Sequence, residues 1–265
     1  MTVPAPSRTP GETGVRTEIK DQVATVTLCR PEVLNAQTPL LWETLREFSR
    51  ELPGDVRVVV VRGEGRSFSA GLDAAAMAGE PLAGGMPLTE MAALPEAEIE
   101  ELIAGYQEAF SWLRRPDLLT VAAVQGHAIG AGFQLALACD LRVLADDAKF
   151  TMAEPSLGLV PDLGGTQPLA ELVGYSRALE ICATGRRVGA LEAERIGLAT
   201  LVVPREELDE AVEDLVAGLL STNRDAVVET KALLLGAAHR SYEAQLAAER
   251  QAQVRRLRDL AGLGE

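Results

Sequence analysis

The sequence predicts an α/β fold that gives way to helices toward its C-terminus. Three observations carry that expectation. Two β-branched runs, 56–61 and 118–124, have the composition of buried parallel strands. Each is followed by a glycine-bearing turn, 67–73 and 126–132, and then by a helical pattern, which is the rhythm of repeated βα or ββα units. Beyond Thr166 the periodicity becomes almost wholly helical.

The elements follow in order. Residues 15–28 hold two strand-like pieces around Asp21-Gln22 and predict a β-hairpin. Thr38-Pro39 opens an amphipathic helix, with Thr38 as N-cap, Pro39 as first helical residue, and Leu41, Leu45 and Phe48 on one face. Gly54 is expected to close it. Between the two buried strands, 74–95 is dense in Ala, Gly, Pro and Met and is expected to be a mobile loop beside the site. A helix at 132–138, a strand at 141–145 and a short strand beginning at Phe150 come next. Helices are then expected near 167–172, 177–182, 190–196, 206–220, 226–238 and 242–260. The resulting division is a disordered leader at 1–14, an α/β core at 15–200 and a helical region at 201–265.

Composition narrows the function classes. The 265 residues are 47% hydrophobic, enough for a packed core without staples. No apolar run reaches the roughly 18–20 residues that cross a bilayer, and residues 1–14 lack an apolar signal core. A soluble, cytoplasmic protein is expected. The formal charge of −14 disfavours nucleic acid and anionic membranes as partners. Cys29, Cys139 and Cys182 are odd in number and far apart, so neither a disulfide framework nor a metal site is expected. Arg250, Arg255, Arg256 and Arg258 form a local basic cluster, which a solvated helix face or a subunit contact explains as well as a phosphate site does.

The chemistry gathers at the two glycine turns. The second opens a helix, so free backbone N–H groups and the positive end of the helix dipole face whatever precedes it. Neither turn has the dinucleotide G-x-G-x-x-G order, a phosphate-loop Gly-Lys-Ser/Thr or a G-x-S-x-G elbow. His127 and His239 lack a partner acid in motif spacing and are expected to be structural.

In combination the motifs are specific. The run Val26 to Ala36 resembles the T-L-N-R-P-E-x-x-N-A opening of the crotonase superfamily, with Cys29 where Asn is common. Phe68 to Asp73 resembles its F-x-A-G-x-D turn and Gly126 to Gly132 its G-x-x-x-G-x-G. Ala138-Cys139-Asp140, Leu157 to Thr166, Thr184-Gly185 and Ala193 to Ala199 follow in the family's order. The resemblance spans roughly 15–260. It implies a spiral of ββα units with a helical C-terminal trimerisation region, a homotrimer or hexamer, and an acyl-CoA substrate with no separate cofactor and no metal. It also implies an oxyanion hole from the backbone N–H groups at Ala70 and Ala131. Arg30, Leu34, Leu72 and Asp73 are expected beside the coenzyme A moiety, with Lys231 meeting a phosphate.

The family's hydratases resemble one another in using two glutamates. This chain has Gln134 at the first position and keeps Glu154 at the second. Gln134 cannot exchange a proton at neutral pH. One base suffices to take a proton from C2 and return it to C4, so Δ3-Δ2 enoyl-CoA isomerisation is slightly favoured. Enoyl-CoA hydration and a non-catalytic acyl-CoA-binding role are the alternatives. Asp162 is either a second acid or a cap for the helix beginning near Gly165.

Overall fold

The computed structural model describes residues 8–264 apart from Met77 and Pro81. Residues 1–7 of the expected leader lie outside the described residues. Arg8 to Gly14 is structured, which corrects the expected disorder there: α1 (Pro10–Thr13) is a single helical turn. The Glu12 carboxylate accepts from Thr9 N at 2.7 Å, and Gly14 closes the turn at φ +74°.

The hairpin forms as β1 (Val15–Lys20) and β2 (Val23–Leu28), antiparallel, with Asp21 at φ +51° in the turn. α2 (Pro39–Glu51) starts where Thr38 accepts from Leu41 N at 3.3 Å. It ends before Gly54, because Leu52 precedes Pro53 and is held extended at ψ 122°. β3 (Val58–Gly63) follows. Segment 74–95 is not wholly irregular: it carries a 3-10 turn at Ala74–Ala76 and α3 (Leu88–Met91). Ala83 O accepts from Leu40 N at 2.9 Å, which fastens this segment to the start of α2.

After α4 (Glu96–Ser111) come β4 (Leu119–Val124), β5 (His127–Ile129), α5 (Ala131–Ala138), β6 (Leu141–Ala145) and β7 (Lys149–Thr151). Then come α6 (Thr166–Val173), α7 (Tyr175–Thr184), β8 (Val188–Gly189), α8 (Ala190–Arg195), β9 (Leu201–Val203), α9 (Leu208–Leu220), α10 (Arg224–Ala237) and α11 (Tyr242–Leu260). The main sheet has the order β1-β2-β3-β4-β6-β9, parallel except for β1, and β5-β7-β8 form a second sheet.

Alternation along β3 explains the layers. Val59 and Val61 face the larger core with Trp42, Leu45, Phe110 and Phe133. Val58 and Val60 face the other way, onto Leu208, Val212 and Val216 of α9. Strand β9 and helix α9 thus belong to the sheet's own layers, so the packed core does not stop at residue 200. Two strands, β8 and β9, also interrupt the stretch expected to be helical.

Helix α5 is buried along its whole length. Arg142 Nη1 satisfies its end, donating to Cys139 O at 2.7 Å and Ala136 O at 3.4 Å, while its Nε donates to Leu198 O at 2.6 Å. Cys139 is buried, and its thiol is pushed up to about 12 by desolvation. Arg255 pairs with Glu229 at 2.6 Å and Arg256 with Asp225 at 3.5 Å, so these two arginines of the C-terminal cluster tie α11 to α10. No described helix is long and apolar enough to cross a membrane.

Candidate active site

The first glycine turn lies alongside β5. Ser69 N donates to His127 O at 2.9 Å and Ile129 N to Ser69 O at 3.0 Å. Gly71 sits at φ +87°, and a Cβ there would come within 2.5 Å of Ile129 O. Gly132 is equally constrained, since a Cβ would meet Ser69 O at 2.7 Å. Two positions that must be glycine therefore seat the turn against the N-terminus of α5.

This contact decides which N–H groups are available. Ala70 N donates to Leu34 O at 2.8 Å and is spent. The expectation for Ala70 is corrected on that ground. Among the described residues no acceptor pairs with the N–H of Leu72, two residues on, or with that of Ala131, the first residue of α5. Gly71, which precedes Leu72, lies against the start of α5: a Cβ on it would stand 3.5 Å from Ala131 N. The turn and the helix start thus each offer a backbone N–H without a protein acceptor among the described residues, and the helix dipole favours negative charge at the second.

Glu154 and Gln134 come together beside them. Gln134 is 1% exposed, and its Nε2 donates to Glu154 Oε1 at 2.7 Å. Its Oε1 accepts from Leu163 N at 2.9 Å and Gly165 N at 3.2 Å. Glu154 begins a 3-10 turn (Glu154–Leu157), and its carboxylate rests on Gly130, where a Cβ would meet Oε1 at 3.1 Å. Glu154 Oε2 is buried and has no hydrogen-bond partner among the described residues. Burial raises the carboxyl above the usual glutamate range. Its backbone hydrogen bonds and Gln134 oppose that shift, and the nearby Asp162 charge adds to it.

Asp162 is half-buried, and burial raises its carboxyl too. Its carbonyl oxygen accepts from Gln107 Nε2 at 2.7 Å. No side chain caps α6, so the capping role expected as one alternative for Asp162 is absent. The Cys182 thiol, raised by burial, also feels the Glu154 charge. His239 Nε2 lies 3.2 Å from Gln167 Nε2, and burial and nearby Lys149 lower His127. Neither histidine is hydrogen-bonded to Glu154 or Asp162.

The family model described as enoyl-CoA hydratase/isomerase matches residues 18–259. This chain belongs to that family, within the crotonase superfamily.

A Thermobifida fusca candidate enoyl-CoA hydratase, crystallised in complex with CoA, is 47% identical with a TM-score of 0.90, covering 95% of this chain and 96% of that one. The same candidate hydratase in complex with acetoacetyl-CoA is 48% identical, also at TM-score 0.90, with 94% and 96% covered. A mitochondrial protein of Dictyostelium discoideum, named as a candidate enoyl-CoA hydratase, is 33% identical over 232 residues, 87% of this chain and 76% of that one.

In this member of the family, Arg30, Leu34, Leu72 and Asp73 converge around the first turn. Arg30 Nη1 lies 3.1 Å from Asp73 Oδ2 and donates to Ala36 O at 3.0 Å. Lys231 does not join them. Its Nζ is bonded to Leu118 O at 2.7 Å and paired with Asp140 Oδ2 at 2.7 Å. The expected phosphate contact is corrected on that ground: within this chain Lys231 is a buried cation whose ammonium is already taken by Asp140 and Leu118. The sequence marked Leu72 as a neighbour of coenzyme A and Gly130 as part of the second glycine turn, but neither the free N–H of the first nor the seat that the second gives Glu154. The only signal was the spacing to an obligatory glycine, at which a left-handed residue turns the next peptide over.

Proposed function

We propose that the chain binds acyl-CoA thioesters and shifts a double bond from C3 to C2 through an oxyanion-stabilised dienolate. The observation that carries this proposal is the saturation of Gln134. Its oxygen already accepts two backbone N–H groups and its nitrogen holds Glu154. It has no lone pair left to take a proton from water, so Glu154 is left as the base.

The chemistry then follows from this chain's own atoms. Glu154 Oε2 takes a proton from C2 of a 3-enoyl thioester; the C2–H pair forms a C1=C2 bond and the carbonyl π pair moves onto the thioester oxygen, giving the dienolate. On its collapse C1=O re-forms, the C1=C2 pair becomes C2=C3, and the C3=C4 pair takes the same proton back at C4, which leaves the carboxylate as it began. Charge delocalised onto the thioester oxygen meets the N–H groups of Leu72 and Ala131, which favour this state over the neutral carbonyl by several kcal/mol. No step calls for a metal or a nicotinamide. The Thermobifida fusca relative was crystallised with CoA and with acetoacetyl-CoA, which supports a CoA-thioester ligand for this chain, and Arg30, Leu34, Leu72 and Asp73 are the residues proposed to lie beside it.

Hydration is the second reading, favoured by the names of the relatives and by Asp162, whose raised carboxyl near Glu154 could supply a second acid. Incubation with 3-enoyl-CoA and, separately, with 2-enoyl-CoA distinguishes the two. Isomerisation makes conjugated-thioester absorbance appear from the first substrate, and hydration makes it disappear from the second. Silence with both, together with retained CoA-thioester binding, identifies a non-catalytic binder.

A further inference from the structure

A chain of buried polar side chains runs behind the donor turn. Trp42 Nε1 donates to Gln37 Oε1 at 2.7 Å, and Gln37 Nε2 donates to Ser69 Oγ at 3.1 Å. Ser69 Oγ donates to Asn35 O at 2.8 Å and accepts from Gly71 N at 3.2 Å. Gln37 and Ser69 are each 0% exposed. An amide in such a place is costly unless both its ends are paired, and here they are.

The main chain of Gln37 grips the same turn from both sides. Its N–H donates to Gly71 O at 2.7 Å, and its carbonyl accepts from Asp73 N at 2.9 Å. Gly71 C=O and Leu72 N–H belong to one trans peptide, in which the two groups point in opposite directions. Holding the Gly71 carbonyl against Gln37 therefore aims the Leu72 N–H away from Gln37. The Gln37 side chain in turn ties that turn, through Ser69 and Trp42, to α2. Trp42 is itself packed against Tyr106 and Phe110 of α4, at ring-centroid distances of 4.9 and 6.0 Å.

We infer that Gln37, acting through Ser69, is a positioning residue that sets the direction of the Leu72 N–H donor. It touches no reacting atom. The inference rests on the proposed role of Leu72 and Ala131 as oxyanion donors, and the test separates the two.

The probe is butyryl-CoA carrying ¹³C at the thioester carbonyl, observed by infrared difference spectroscopy on the full-length native protein, on Gln37→Leu and on Ser69→Ala. Gln37→Leu removes both side-chain bonds at similar volume. Ser69→Ala deletes a single oxygen and keeps the test decisive if Gln37→Leu does not fold. In the native protein the carbonyl stretch moves to lower frequency on binding. Both variants are expected to lose at least half of that displacement and, with 3-enoyl-CoA as substrate, about 10-fold or more in kcat, part of the 10²–10³ lost when an oxyanion donor is removed. KM and butyryl-CoA affinity stay close to native. Variants that keep both displacement and kcat overturn the positioning role, as do variants in which affinity and kcat fall together while the displacement is retained. A native protein that binds butyryl-CoA without displacing the carbonyl stretch overturns the donor assignment itself.

Discussion

The amide nitrogen of Gln134 stands 2.7 Å from Oε1 of Glu154, and that bond divides the carboxylate into one held oxygen and one open oxygen. Oε2, buried and without a protein partner among the described residues, is the atom to which the proposed isomerisation assigns the proton transfer. Burial makes it more basic than an ordinary glutamate, as a base working near neutral pH requires.

Glu154→Gln is therefore expected to lower turnover by about 10²–10⁴, the usual worth of a general base, with CoA-thioester affinity near native. Steady-state kinetics beside calorimetry check this. Turnover unchanged by the substitution moves the base to Asp162.

Protein stability carries the same signature in pH. With its pKa raised on folding, Glu154 binds its proton more tightly in the folded chain than in the unfolded one. Its contribution is fully present below the ordinary glutamate range and is lost as pH rises through the raised value. Glu154→Gln should thus gain Tm relative to native above that window, and the gain should vanish below it. Thermal melts across pH measure the difference; a gap independent of pH counts against a desolvated carboxyl.

Gln134→Glu places a carboxylate where Leu163 and Gly165 N–H groups already donate. Charge is stabilised there, so the proton shared by the new pair is pushed toward Glu154. Crotonyl-CoA hydration should rise, isomerisation at its own optimum should remain roughly as it was, and the low-pH limb of its rate profile should move upward. A native protein that already hydrates crotonyl-CoA at about 10³ s⁻¹, the upper end of ordinary turnover, removes the preference for isomerisation.

Asp140→Asn removes the charge that neutralises the buried Lys231 ammonium and leaves it only neutral acceptors, Leu118 O among them. Breaking a buried pair costs about 3–5 kcal/mol, and the Asp140 side chain is 21% exposed, which favours the lower end. At roughly 2–4 °C per kcal/mol, Tm should fall by about 6–12 °C. Butyryl-CoA affinity of the folded variant should be unchanged; weaker binding at native-like stability restores a phosphate role for Lys231.

Tyr242, Leu260 and Leu263 are 74%, 76% and 72% exposed at the C-terminal end of the chain, more apolar surface than a lone helix pair needs to present. Light scattering should return three or six times the 28.2 kDa chain mass, and Leu260→Asp with Leu263→Asp should lower it. A native monomer at micromolar concentration refutes assembly.

Much of this protein was legible in its sequence because the signals are local. Periodicity placed β2, β3, β4 and β6, and Thr38-Pro39 placed the start of α2, since alternation, β-branching and caps act within a few residues. The two glycine turns and the Gln134 and Glu154 positions were also visible, as was the absence of a second glutamate. The short strands β5, β8 and β9 were not, because two or three residues carry no period and are strands only by pairing with distant partners. Which N–H is free was equally a tertiary matter: Ala70 and Leu72 are two residues apart in one turn, and only the approach of Leu34 O consumes the first. Lys231 reads as an available cation until Asp140, 91 positions away, is seen to neutralise it. Sequence by itself determined the chemical groups and their order along the chain; folding decided which of their hydrogen bonds were already spent, because each bond requires a partner that the chain brings from far away.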